Sequence, residues 1–528
     1  MNLLRLQTSR TLRQSGVHLP AGVRTSGCHI LVMLTSLGHM ALVVLLITAC
    51  ATPEPAGHPV DEPIVPRVSG QRPASDSTTT VATISIVARH TILKVGDTLI
   101  LTATPRDSLE NALPFRQPRW LPADSAVVRI SPTGLATAVG TGTTILTVES
   151  GGKAAYIALT VLREGPVIHV SPGSNIQALV DSAPEGAIFF LLAGVHRRQS
   201  VTPRDGMTFQ GEAGTILDGE LTTPFAFRAD SAHNVTLRHL TIRRYMPPVQ
   251  DAAVHAEGGS GWVIDSCDVR ENATGGIRLG HRTKVLNSRI HDNGQIGISG
   301  AGDGILVDGN EIANNNPRAE YDMYWEAGGA KFVHTTDLVV RRNFVHHNGG
   351  PGLWTDIDNV RTLYEDNRVE DNAEAGIFHE ISYAAIMRNN SVKGNGVNAV
   401  PPDALTGSGI LISASSDVEV YGNTVSNNHN GITAIQAERE PGVFGQHMLR
   451  NLYVHDNDIT MQDGVTGIVT RGAKRVFDSD TYTSMGNRFQ ANTYRLGSKP
   501  QYFQWRNRRR TASQWRAYGQ DSVGRFNR

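Results

Sequence analysis

The chain has 528 residues, 40% of them hydrophobic and only 6% aromatic, so it can bury a large core but must fill it mainly with aliphatic side chains. Its 49 Lys and Arg balance 49 Asp and Glu, which removes any net electrostatic argument for nucleic acid and sets the chain apart from charged disordered sequences. The 53 glycines announce frequent turns. At the N-terminus Arg5, Arg10, Arg13 and Arg24 precede an apolar run from Ala41 to Ile47, too short to span a bilayer as a mature helix.

The residues closing that run, Ile47-Thr-Ala-Cys50, resemble the lipobox of bacterial lipoprotein signals. The resemblance implies that residues 1–50 are a lipoprotein signal cut just before Cys50, which becomes the lipidated first residue, and an envelope location on the outer or cytoplasmic membrane facing the periplasm or exterior. An ordinary secretory signal is the alternative. With Cys50 acylated, Cys267 is left without an intramolecular partner and is expected as a small buried residue. Residues 51–80, rich in Pro, Ser, Thr and Gly, form a tether.

Residues 81–162 alternate as strands at Val81–Val87, Leu99–Ala103, Val127–Ile130, Thr144–Val148 and Ala155–Val161, the pattern of a small β sandwich. The motifs Lys94-Val-Gly-Asp97, Trp120 before Asp124-Ser125, Gly134-Leu-Ala136 and Gly140-Thr-Gly142 resemble the group 2 bacterial immunoglobulin-like domain. Such a domain is implied to be a spacer, with Trp120 in its core.

From Val167 the pattern changes. Asn175 can cap a short helix with Ile176, Leu179 and Val180 on one face. One phrase then returns eight times, with a polar anchor at Cys267, Ser288, Asn310, Asn343, Asn367, Asn390, Asn423 and Asn457, at spacings of 21, 22, 33, 24, 23, 33 and 34 residues. Three residues before each anchor stands an apolar residue (Ile264 through Val454), and two after it a β-branched one (Val269 through Ile459). A second polar series runs Asn272, Asn293, Asn315, Asn348, Asn372, Asn395, Asn428 and closes on Gln462.

A period near 22 with short apolar patches and no helical pattern predicts a stacked β coil of three strands per turn. Asn at the corners tolerates a left-handed backbone and can form amide ladders between coils. Together with the helix ahead of them, these ladders resemble the right-handed parallel β-helix of the pectate-lyase-like superfamily over residues 165–475. The fold class is therefore all-β, a right-handed parallel β-helix solenoid behind an immunoglobulin-like sandwich. Residues 476–528, with Arg506, Arg508, Arg509, Arg510 and several aromatics, are expected to cover the last coil.

The Gly-led segments at Gly276, Gly297, Gly329, Gly352, Gly376, Gly409 and Gly431 mark one strand of the coil. The long spacings place extra loops beside it at 317–328, 397–408 and 433–450, the usual origin of a solenoid's binding groove. Four residues after the Gly, successive coils present Val333, Asp356 and Glu380, so two carboxylates share a column. Lys331 and His379 lie nearby as proton-transfer candidates, with Asp322, Trp325, Glu326 and Trp354 as substrate contacts.

The β-helix resemblance implies action on polysaccharide. In one reading Asp356, Asp358 and Glu380 hold calcium against the carboxylate of a uronate, and Lys331 or His379 takes the adjacent proton, as in a lyase or epimerase. In a second, Asp356 and Glu380 are the nucleophile and acid of a glycoside hydrolase. A third is a noncatalytic, adhesive glycan-binding protein. The Asp-Pro-His-Asp motif of mannuronan epimerases and a complete pectate-lyase motif are both absent.

Overall fold

The computed structural model describes residues 80–88, 91–109, 111–113, 116–162, 165–397, 406–471 and 479–527. The leader, Cys50 and the tether up to residue 79 lie outside these. Among the described residues no helix is long and apolar enough to cross a membrane.

The described residues between 80 and 162 form β strands joined by turns, with no helix among them. A four-stranded and a three-stranded sheet enclose a core of Leu93, Leu99, Trp120, Val128, Leu146, Val148 and Leu159, with Trp120 inside as expected. The strands at Ile92–Lys94, Arg119–Pro122 and Leu135–Ala138 were not expected from the sequence pattern.

From Val167 the chain winds as a right-handed parallel β-helix of three strand ladders. One coil shows the order: Leu353–Asp356 in the first ladder, Val360–Glu365 in the second, Arg368–Glu370 in the third. Among the described residues the third ladder stacks 13 strands, from Gly194–Arg197 to Arg525–Asn527. All sixteen repeat positions predicted to face inward are fully buried, Val345, Val369 and Val392 among them. The capping helix spans Ile176–Ser182, Asn175 Oδ1 accepting from Ala178 N at 3.1 Å, and buries Ile176 and Val180.

The Asn columns are hydrogen-bonded ladders. Asn343 Nδ2 donates to Asn367 Oδ1 at 3.0 Å and to Val307 O at 3.0 Å, while Asn367 Oδ1 also accepts from Asn343 N at 3.1 Å. The second column repeats this from Asn272 to Asn428. Each side chain so satisfies backbone groups of its neighbours' turns that would otherwise be buried unpaired. The left-handed residue is not the Asn itself but the one before it, as at Arg342 (φ 55°), Asp366 (φ 54°) and Asp371 (φ 52°). The corner strain is thus borne by an outward side chain, which frees the Asn to point inward.

Gln462 does not close the second ladder, since its side chain is exposed. The first ladder instead runs past Asn457 to Asn492 and Asp521, and the strands Arg488–Gln490 and Thr493–Leu496 continue the solenoid beyond residue 475. Phe489 and Tyr494 replace the aliphatic pair there, which hid the last repeat.

The Gly column is set by space. A Cβ on Gly352 would lie 2.7 Å from Gly376 O, 2.8 Å from Val369 Cγ1 and 2.9 Å from Asn372 Nδ2, and backbone oxygen cannot yield. Gly352→Ala is expected to lower stability by about 1–3 kcal/mol in chemical denaturation; an unchanged midpoint would show that the column relaxes freely.

Candidate active-site groove

Two of the long insertions precede first-ladder strands, and the third follows one, at residues 438–452. Met323 and Tyr324 from the first, Thr406 from the second and Arg439 from the third line a groove of about 310 Å³ over the outer face of that ladder. Its floor contains Trp354, Phe378, Leu411 and Ile435. Trp354 stacks on Phe378 at 5.4 Å between ring centres. In register the outward column runs Lys331, Trp354, Phe378, Leu411.

Strand alternation separates the sequence candidates. His379 is paired with Thr355 and Ile412 on the inward column, is fully buried, and has Nδ1 2.7 Å from Thr355 Oγ1. Burial drives its pKa down to about 3. A catalytic role for His379 is therefore corrected: the ring is neutral and belongs to the core, because its strand position has the wrong parity for the groove.

Asp356 and Glu380 do face outward on neighbouring coils. Lys331 Nζ lies 2.9 Å from Asp356 Oδ2, 3.7 Å from Glu326 Oε1, and 3.7 Å from the Trp354 ring centre, and it donates to Trp325 O at 2.6 Å. With its side chain only 5% exposed, Lys331 is tied to Asp356 and the Trp325 carbonyl and does not reach into the groove as the proton-transfer group expected from the sequence. Asp356 Oδ1 is buried without a partner.

Glu380 lines the groove. Burial and the Asp356 charge raise its carboxyl to about 7, against the opposing pull of Arg439 and Lys331, with Glu374 adding to the rise. Arg439 Nη2 meets Glu380 Oε1 at 2.5 Å. Glu374, also in the lining, is occupied by backbone, accepting from Ala375 N and from Gly407 N at 2.7 Å.

The expected calcium triad is not gathered. Asp356 is engaged by Lys331, Glu380 by Arg439, and Asp358 turns to His447, whose Nε2 lies 3.0 Å from Asp358 Oδ1. Among the described residues no cluster of three or more His, Cys, Asp or Glu is arranged to hold a metal. Asp358 as a ligand beside Asp356 and Glu380 is accordingly corrected. Of the remaining candidates, Trp354 is in the floor, the Trp325 side chain is 62% exposed and is not part of the lining, and Asp322 organises its own turn by accepting from Tyr324 N at 2.9 Å. Arg439, Phe378 and Glu374 were missed. Phe378 carried a signal, its in-register position after Trp354, whereas nothing local marks where Arg439 folds back.

A family model described as a right handed beta helix region matches residues 252–425. No curated protein matches the chain. Among solved structures, the A-module of the mannuronan C-5 epimerase AlgE4 of Azotobacter vinelandii is 18% identical, covering 62% of this chain and 92% of that one at a TM-score of 0.46. XylC in complex with xylose is 11% identical over 64% and 85% at 0.45. A mannuronic acid specific polysaccharide family 6 lyase from human gut microbiota is 13% identical over 63% and 82% at 0.40.

Proposed function

We propose that the protein acts on uronate-containing polysaccharide as a lyase or epimerase, with Glu380 transferring the proton and Arg439 receiving the substrate carboxylate. The observation that supports this best is a carboxyl of pKa about 7 in an aromatic-floored groove, touching a guanidinium whose side chain is still 42% exposed. A general acid or base is most effective when its pKa lies near the working pH. In this reading a uronate carboxylate replaces Glu380 on Arg439, which neutralises it and acidifies the adjacent carbon. The released Glu380 carboxylate then takes that proton. Breaking the neighbouring C–O bond gives an unsaturated end, with the proton passing to the leaving oxygen; for the epimer a solvent water protonates the carbon on the opposite face, and Glu380 gives its proton to the hydroxide so formed. Tyr324, 46% exposed in the groove lining, offers a flat face to a sugar ring, over a floor set by the stacked Phe378 and Trp354.

Retaining hydrolysis would use Asp356 as nucleophile. One coil is about 4.8 Å, close to the roughly 5 Å such enzymes need, but both Asp356 oxygens are withdrawn, one sealed and one on Lys331. That favours the uronate reading. The same reading makes residues 81–162 an immunoglobulin-like spacer and Cys50 the lipid attachment of an envelope protein.

Uronate polymers should yield an ultraviolet-absorbing product, or exchange a carbon-bound hydrogen with deuterated solvent, at equal rates in calcium and in chelator. Reducing ends without unsaturation would establish hydrolysis instead, and tight binding with neither reaction an adhesive role.

A further inference from the structure

We propose that Asp358, His447 and Tyr383 are positioning residues that hold residues 438–449 as a fixed strap, so that Arg439 reaches Glu380; this rests on the roles given to Arg439 and Glu380 above. Ile357 and Asp358 follow the strand Leu353–Asp356 with two consecutive left-handed backbones, φ 61° and 58°. Neither is glycine, and such strain persists only where surrounding contacts fix it. It turns Asp358 from the groove to the strap, where Oδ1 accepts from Val443 N at 3.2 Å and lies 3.0 Å from His447 Nε2.

The other His447 nitrogen is 2.7 Å from Glu440 O, so the ring is gripped from both sides. Tyr383 packs on His447 at 5.2 Å and its hydroxyl donates to Gly445 O at 2.7 Å. Gln446 Nε2 donates to Arg439 O at 2.6 Å, linking the anchored turn directly to the arginine backbone.

Hydrophobic burial does not hold the tip, since Val443 and Phe444 are 76% and 59% exposed. The polar tie does. The strap also fits only with glycine at 442, where a Cβ would lie 1.8 Å from Asp358 Oδ1 and 2.5 Å from His447 Nε2.

The test uses the full chain labelled with 15N-arginine, the Arg439 guanidinium resonance being assigned from Arg439→Lys. In the wild type this resonance should show slow solvent exchange. His447→Ala and Gly442→Val should abolish that protection, and His447→Gln, which can still donate to Asp358, should restore it. Turnover of polyuronate should fall on the order of 100-fold in kcat for His447→Ala and for Arg439→Ala, and no further in the double variant. Protection that survives in both His447→Ala and Gly442→Val, or losses that add in the double variant, would overturn the proposal. A wild type without turnover would defeat the uronate reading, while the resonance still decides the strap.

Discussion

Val369→Asp is expected to abolish folding of the solenoid under conditions where the wild type is stable. Val369 is fully buried, stacked in register between Val345 and Val392 and flanked by Asn367 and Asn372 of the two amide ladders. Removing the aliphatic side chain alone costs about 2–3 kcal/mol. A carboxyl among these neighbours finds no cation, so it must be buried unpaired or protonated, bringing the loss to about 5 kcal/mol or more. Because each coil is stabilised by the next, the defect spreads to both ladders. Urea unfolding beside Val369→Ala separates the two contributions, and a wild-type midpoint for Val369→Asp would place the side chain outside the coil.

Glu380→Gln should reduce turnover by roughly 10²–10⁴-fold and yet stabilise the protein above neutrality. The folded carboxyl titrates at about 7 and the ordinary one at 4.5. Between these values the native protein keeps a proton that the unfolded chain has released, so stability falls as pH rises through this window. At pH above 7 the loss reaches at most about 3 kcal/mol. Glutamine cannot ionise, so the variant should match the wild type below pH 4.5 and melt higher above pH 7. Thermal unfolding across pH checks this without any substrate; parallel pH profiles for the two proteins would mean that Glu380 is not held in the burial that the proton-transfer role requires.

Much of the solenoid was legible because its determinants recur. An inward aliphatic, an amide and a glycine at fixed spacing each solve a local problem of burial, backbone pairing or clearance, and stacking repeats the solution. The last repeat escaped because Phe489 and Tyr494 solve the burial problem with aromatics. The left-handed corners were assigned to the wrong residue because the ladder Asn and its predecessor are both polar.

The groove was only half legible. Insertion lengths marked the first ladder, and the common offset from the glycines put Asp356 and Glu380 in one column. Their environments came from elsewhere: Lys331 folded over Trp354 to take Asp356, and Arg439 arrived from an insertion 59 residues beyond Glu380. His379 looked as chemical as its neighbour, yet one step along a strand reverses the face.

What the sequence determined by itself is the periodic part, since interactions that repeat at a fixed spacing are written into the spacing. Only the tertiary structure decided which carboxyl meets which cation and how deeply each is buried. Charge and solvation at a site depend on distances between segments that share no period, and the path of an insertion fixes them rather than the repeat it interrupts.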